Sequence, residues 1–506
     1  MVLKADRSLF GRIIVIGQSR KIDVRELLQY SLGPLPWSLA TTEGFPRKTN
    51  LAALATPLQK DVPLADGLPQ NSAAIIDGMS LVQKLSVGGG QTTFAMVASS
   101  LLTKVLHEGS QTNRIDVVFD IYRDMSIKNA ERTMRGEVAG VQLSYISSTQ
   151  LVKQWRNFLS EVKNKTSLIK FFSREWREED CMRRLKGKTL FVTAESECWK
   201  ITKKGSENVA ELTSNQEEAD TRLLLHAKHA AQEGYEAVAV ISEDADVFVL
   251  LLNFSSIINT RLYMKCGSRM RTRLVDIKGA VQRTGREICE ALIGLHSFTG
   301  CDSVSAFAGK GNLGALKILK TNEGVRRAFQ ELGQSWTVSE DLYTLLEKLT
   351  CSMYIPVGNT TSHVNDARYK LFCAKNGELE SHQLPPCQDS LRKHILRANY
   401  QAAYLEANPD IPSPDGMGWT TQTSTDAAST ELVINWMDGQ PAPSAVLELL
   451  VCKCKKTCKL PSCVCMNSGL KCTDLCSLND STNQPAQDDS SNIIDNEADE
   501  YDDDDF

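Results

Sequence analysis

The chain has 506 residues, 42% of them hydrophobic and 24% charged, which is too long for one compact domain and too apolar for global disorder. Its apolar stretches, such as Val247–Leu252, fall far short of the roughly 20 residues of a membrane span, and Met1–Arg7 lacks the apolar core of a secretory signal, so a nuclear or cytoplasmic protein is expected. The formal charge of −5 hides an asymmetry, because Asp480–Phe506 carries 11 acidic residues and no basic one, leaving 57 basic against 51 acidic elsewhere; a mildly basic body suits a nucleic-acid partner.

Residues 1–69 read as an extension, with one short apolar strand expected at Ile13–Ile16. From about residue 70 strands and helices alternate, the signature of an α/β domain with a mainly parallel sheet flanked by helices. Ala73–Ile76 is a buried strand running into Asp77, and Ile115–Phe119 is a second running into Asp120. Lys153–Lys188 is helical and basic, with 11 Lys/Arg against 5 Asp/Glu and with Trp155, Phe158, Phe171, Phe172 and Trp176 interleaved. Glu218-Ala219-Asp220 opens a helix. Ala237–Ile241 is a third strand, followed by Asp244 and Asp246, and an apolar helix over Ile288–Leu295 precedes Asp302. The stretch 326–445 reads as mainly helical, ending in a linker around Pro412, Pro414 and the Ser/Thr-rich run near residue 425. A cysteine module at 446–480 and a disordered acidic tail at 481–506 complete the chain.

The acidic residues sit where an α/β fold places its chemistry, at the C-terminal ends of parallel strands. Singly, each has a plain role as a turn residue or helix cap. Converging, such carboxylates repel one another and raise each other's pKa unless cations neutralise them, and hard oxygen ligands select Mg²⁺ or Mn²⁺. Two such ions can clamp the attacking and leaving oxygens of a phosphodiester.

The order of these motifs resembles the flap endonuclease (XPG-type) nucleases of the PIN-like superfamily, over about residues 70–325. Asp77 in Ile-Ile-Asp-Gly-Met-Ser, Asp120 in Val-Val-Phe-Asp, Glu218-Ala219-Asp220, Asp244 and Asp246 in Ser-Glu-Asp-Ala-Asp, and Asp302 in Gly-Cys-Asp resemble the family's metal-site motifs. The resemblance implies a two-metal nuclease. It further implies that Lys128 and Arg135 contact the scissile phosphate, and that the Gly309-Lys310-Gly311 turn holds duplex backbone with a monovalent cation such as K⁺. It also places Lys153–Lys188 where the family has a helical arch over a single strand, against the alternative of a plain amphipathic helical pair. DNA is expected as partner rather than RNA. Three departures stand out: the long extension before the first strand, Gln83 where flap endonucleases carry a stacking Tyr, and the segment leading into Glu218. The rival reading is a catalytically inactive, mobile-element-derived DNA-binding or regulatory protein on the same scaffold.

Seven of the 15 cysteines lie at 452, 454, 458, 463, 465, 472 and 476, with lysines between them. Such dense thiols in a chain without an export signal read as zinc ligands. The run resembles the tesmin-type CXC domain, with Leu478 and Ser481 where that family continues with cysteines. Seven thiolates, Cys452, Cys454, Cys458, Cys463, Cys465, Cys472 and Cys476, can close about two tetrahedral sites if one sulfur bridges. The histidines form no motif, and core or surface roles are expected for them.

Overall fold

The computed structural model describes residues 10, 11, 13, 14, 16, 21–88, 91–122, 126–127, 142–143, 145–267, 272–355, 361–375, 379–408, 410–423, 430–450, 452–467, 472, 476–478 and 483. The chain divides into two compact units, one of residues 36–41 and 45–439, the other of residues 1–35, 42–44 and 440–506.

The larger unit is built on an eight-stranded sheet in the order β5-β4-β3-β2-β1-β6-β7-β8. Its centre is parallel: β1 (Ser72–Asp77) lies between β2 (Arg114–Val118) and β6 (Ala237–Ile241), with β3 (Thr189–Ala194) and β7 (Arg261–Cys266) outside them. Antiparallel strands extend both margins, β4 (Glu197–Thr202) and β5 (Gly205–Asn208) on one side and β8 (Arg273–Asp276) on the other. The three central strands are covered on both faces; β1 and β6 read as near-continuous apolar runs, while β2 also buries Arg114 and Asp116, which pair with each other at 2.7 Å.

Two cores result, one on each face. Ile76, Ile115, Val117 and Phe119 pack with the helices Phe94–Glu108 and Val162–Glu175. Ala73, Ile75, Val118, Val238 and Val240 pack with the helices Ala219–Gln232, Ala245–Phe254 and Leu292–Thr299. The aromatics of the basic segment belong to the first core: Phe171, Phe172 and Trp176 are fully buried, and Trp155 and Phe158 are nearly so. They fill one face of an amphipathic pair rather than offering rings for stacking, so this segment follows the plainer of its two expected roles. Apolar area on one stripe of a helix is buried first whatever charges line the opposite stripe.

Beyond Gly311 the unit is helical, with Asn312–Thr321, Glu323–Glu331, Glu340–Tyr354, Val364–Ala374 and Gln388–Leu405. The expected linker differs: β9 (Trp419–Thr423) pairs antiparallel with β10 (Thr430–Ile434). Trp419 is buried against Tyr400 and Leu432, so this segment is anchored by an aromatic that a free linker would leave in water.

In the smaller unit, Leu27, Leu28, Leu32 and Leu35 are buried, and the Leu32 amide donates to the Pro441 carbonyl at 2.9 Å. Ile13, Ile14 and Ile16 are helical, not the strand that their apolar run suggests; so short a run does not fix its own period. The expected disordered tail at 481–506 lies, apart from Asn483, outside the described residues. No helix among the described residues is long and apolar enough to cross a membrane.

Candidate functional site

Asp77 ends β1, Asp120 lies two residues beyond β2, and Asp244 three beyond β6. Because these strands are parallel neighbours, all three carboxylates arrive at one end of the sheet. The turn after β1 is tight for a specific reason: a Cβ on Gly78 would sit 2.4 Å from the Phe119 ring, so the glycine lets β1 and the end of β2 approach side by side. Asp77 and Asp244 also cap the helices that follow them, accepting from the Ser80 amide at 3.1 Å and the Asp246 amide at 2.9 Å. Each cap fixes one carboxylate oxygen.

Electrostatics record the crowding. Burial, then Asp120 and more weakly Asp244, push the Asp77 carboxyl up to about 6 against the two amides that stabilise its anion. Asp120 accepts from the Ala219 amide at 2.8 Å, which brings it to the N-terminus of the helix that Glu218 caps and Asp220 enters. The amides of Glu217 and Glu218 reach the Tyr404 hydroxyl at 2.6 and 3.2 Å. Glu218 thereby joins Tyr400, Tyr404, Gln401 and Ser303 in lining a cavity of about 260 Å³.

His296 is the group that sequence reasoning missed. It lies on the Leu292–Thr299 helix, buried, with Nε2 3.3 Å from Asp246 Oδ1. Burial opposes its protonation, but Asp246, with Asp244 and Asp302 behind it, outweighs that and holds the imidazole above its ordinary value. Asp302 is exposed at the same end. The Lys48 ammonium donates to its carbonyl, and Gly300, at φ +119°, makes the turn towards it. A second missed group is Arg222, buried near Asp120 and donating to the Phe119 carbonyl at 2.8 Å. Burial lowers its pKa to about 10. In the sequence both are single residues within helices; only their helices' shared approach to the strand ends betrays them.

Lys128 and Arg135 lie outside the described residues. Gly309 (φ +62°) and Gly311 are exposed at the start of the Asn312–Thr321 helix, and a Cβ at either would meet nothing within 4 Å. Lys310 turns its ammonium to 5.3 Å from the centre of the Tyr354 ring, and burial lowers its pKa.

Among the described residues, only cysteines gather ligand atoms in groups of three or more within 4.8 Å of one another. One group is Cys452, Cys458, Cys463 and Cys472, the other Cys452, Cys465, Cys472 and Cys476. Six thiols thus form the groups where seven are expected, and two are shared where one is expected. Cys454 packs against the cluster but belongs to neither group. Burial, together with neighbouring thiols, pushes the Cys452 and Cys465 thiols far above the usual range.

No known protein family and no curated protein sequence matches the chain. Solved structures to which it is similar include the D15 protein of T5 crystallised with metal ions, at 15% identity and TM-score 0.30, covering 65% of this chain and 99% of that one. Another is the bacteriophage T5 D15 flap endonuclease in a complex with DNA and metal ions, at 12% identity and TM-score 0.29, covering 67% of this chain and all of that one. The catalytic core of Rad2 in complex with DNA substrate matches at 11% identity and TM-score 0.30, covering 68% of this chain and 98% of that one.

Proposed function

We propose that the chain is a divalent-metal-dependent nuclease of the flap endonuclease/PIN-like type, acting on structured or single-stranded DNA, with the cysteine module as a zinc-holding targeting part. The observation that carries the reading is the convergence of Asp77, Asp120 and Asp244 at the ends of three adjacent parallel strands, close enough that the latter two raise the first. Carboxylates crowded in this way repel one another and call for cations. Mg²⁺ or Mn²⁺ ions, when bound, supply Lewis acidity and an activated water for phosphodiester hydrolysis.

The chain's own residues do the rest. Asp77, Asp120 and Asp244 each have an oxygen tied to a backbone amide, which fixes the carboxylates that would hold the ions. Glu218, Asp220, Asp246 and Asp302 are the further carboxylates that would bear on the ions. His296 steadies Asp246. Lys128 and Arg135 neutralise charge developing on the phosphate. The Gly309–Gly311 turn would offer bare backbone to a duplex phosphate and would hold K⁺ if a monovalent cation binds there. The module boundaries that accompany this reading are 70–325 for the nuclease and 446–480 for the cysteines.

The test is cleavage of flap, hairpin and single-stranded substrates with Mg²⁺ or with EDTA. Asp244→Asn combined with Asp246→Asn is expected to abolish cleavage while the protein stays folded, because the change relieves repulsion. A double variant that cleaves as fast as the parent overturns the assignment. A parent that binds DNA but cuts nothing under any metal leaves the inactive, regulatory reading in its place.

A further inference from the structure

A zinc ion bound by four thiolates at about 2.3 Å sits in a tetrahedron whose sulfur–sulfur edges are about 3.8 Å. In the cysteine module Cys452 Sγ lies 3.6 Å from Cys458 and 3.9 Å from Cys472. Cys472 lies 3.6 Å from Cys458 and 3.8 Å from Cys463, and Cys465 lies 3.6 Å from Cys476. These are the edges of two such tetrahedra, and the two have one edge in common, Cys452–Cys472.

We propose that the module is a binuclear six-thiolate zinc cluster, with Cys452 and Cys472 each bridging both ions, Cys458 and Cys463 completing one site, Cys465 and Cys476 the other, and Cys454 outside the ligand set. This rests on the zinc reading of the module and departs from it in which sulfurs bind and which bridge. Six sulfurs suffice for two ions only if two are shared, since two separate tetrahedra need eight ligands. The surrounding contacts suit such sharing. The Asn483 side-chain amide donates to the Cys472 sulfur at 3.3 Å, and the Cys472 amide donates back to the Asn483 carbonyl at 3.0 Å. The Cys452 amide reaches the Cys476 sulfur at 3.4 Å. Hydrogen bonds to thiolates disperse the negative charge that six of them retain against two dications. Lys453, Lys455, Lys456 and Lys459, all exposed, surround the cluster with the opposite charge.

Cys454 separates this arrangement from its rivals. Were all seven thiolates ligands with one bridge, replacing Cys454 would open a site; here it opens none. The full-length protein is purified with zinc and then dialysed against excess Mg²⁺, which displaces zinc from the carboxylate site but not from thiolates. It is expected to carry two zinc ions per chain by elemental analysis, and Cys454→Ser is expected to carry two as well. After exchange with ¹¹³Cd, the parent is expected to give two thiolate-shifted cadmium resonances that split one another through the shared sulfurs. Three ions, a Cys454→Ser variant holding one, or two resonances without mutual splitting would each overturn the bridged assignment while leaving zinc binding in place. No bound metal at all overturns the zinc reading itself. None of these readouts depends on cleavage, so the fate of the nuclease reading is decided separately.

Discussion

Buried His296 is the side chain placed against the proposed carboxylate Asp246. Its Nε2 faces Asp246 Oδ1 at 3.3 Å, and a partner that orients a ligating carboxylate is commonly worth about 10–100-fold in metal affinity or activity. His296→Leu is therefore expected to weaken Mn²⁺ binding and cleavage by about that factor, with His296→Gln restoring part of it. Calorimetric titration of the metal separates this from unfolding, because a merely structural defect would lower the melting temperature without changing the affinity of the folded fraction. Glu406 makes a different use of burial. Burial pushes its carboxyl up to about 7. The native state thus keeps a proton that the unfolded chain releases near 4.5. Its contribution to stability is complete below that value and is lost as pH rises through about 7. Glu406→Gln is expected to match the parent at pH 4 and to exceed it at pH 8 by on the order of 1–2 kcal/mol, after discounting for partial exposure. Urea melts at the two pH values check the sign; a constant difference between them would contradict it.

At the scale of elements, two glycine turns near the acidic end differ in what they tolerate. A Cβ on Gly300 would lie 2.8 Å from Ala306, at a φ that L-residues rarely adopt. Gly300→Ala is expected to cost about 2–4 kcal/mol and to displace Asp302. Gly311, by contrast, has extended backbone and open space, so Gly311→Val is expected to melt like the parent yet bind duplex DNA about tenfold less tightly, a loss of roughly 1.4 kcal/mol. Equal affinity at matched salt would remove the turn from the interface. The same contrast explains what the sequence makes legible. β1, β2 and β6 stand out because strands buried on both faces are rich in apolar residues, even though β2 also buries the paired Arg114 and Asp116, and an aspartate lies at or within three residues of each strand's end. β4 and β5 do not, since marginal strands such as Gly205–Asn208 carry polar residues on their exposed sides. Phe171, Phe172 and Trp176 suggest stacking only until their common stripe is seen against the sheet. Trp419 marks the β9–β10 hairpin only once Tyr400 lies beside it. The placing of His296 beside Asp246 and the grouping of the cysteines depend on approach through space, which spacing along the chain does not encode.

For the whole molecule, the chemistry is divided between two compact units: every acidic residue of the proposed site lies within residues 45–439, and every clustered cysteine within 440–506. A carboxylate site built on a sheet with two cores of its own needs no ligand from the cysteine module. A chain ending at residue 450 keeps the helix Ser444–Leu450, and with it the buried Val446, but removes all seven clustered cysteines. It is expected to cleave at saturating substrate within about twofold of the parent, since every proposed carboxylate ligand is retained. Binding should behave differently. The deletion takes away Lys453, Lys455, Lys456, Lys459 and Lys471, and every phosphate that one of these lysines no longer neutralises makes the slope of log affinity against log salt shallower by about 0.9. The truncated protein should therefore bind DNA more weakly at low salt, and the gap should close as salt rises. An unchanged slope would mean that the module does not touch the phosphate backbone, and a collapse of cleavage at saturation would mean that it contributes to the chemistry as well as to targeting.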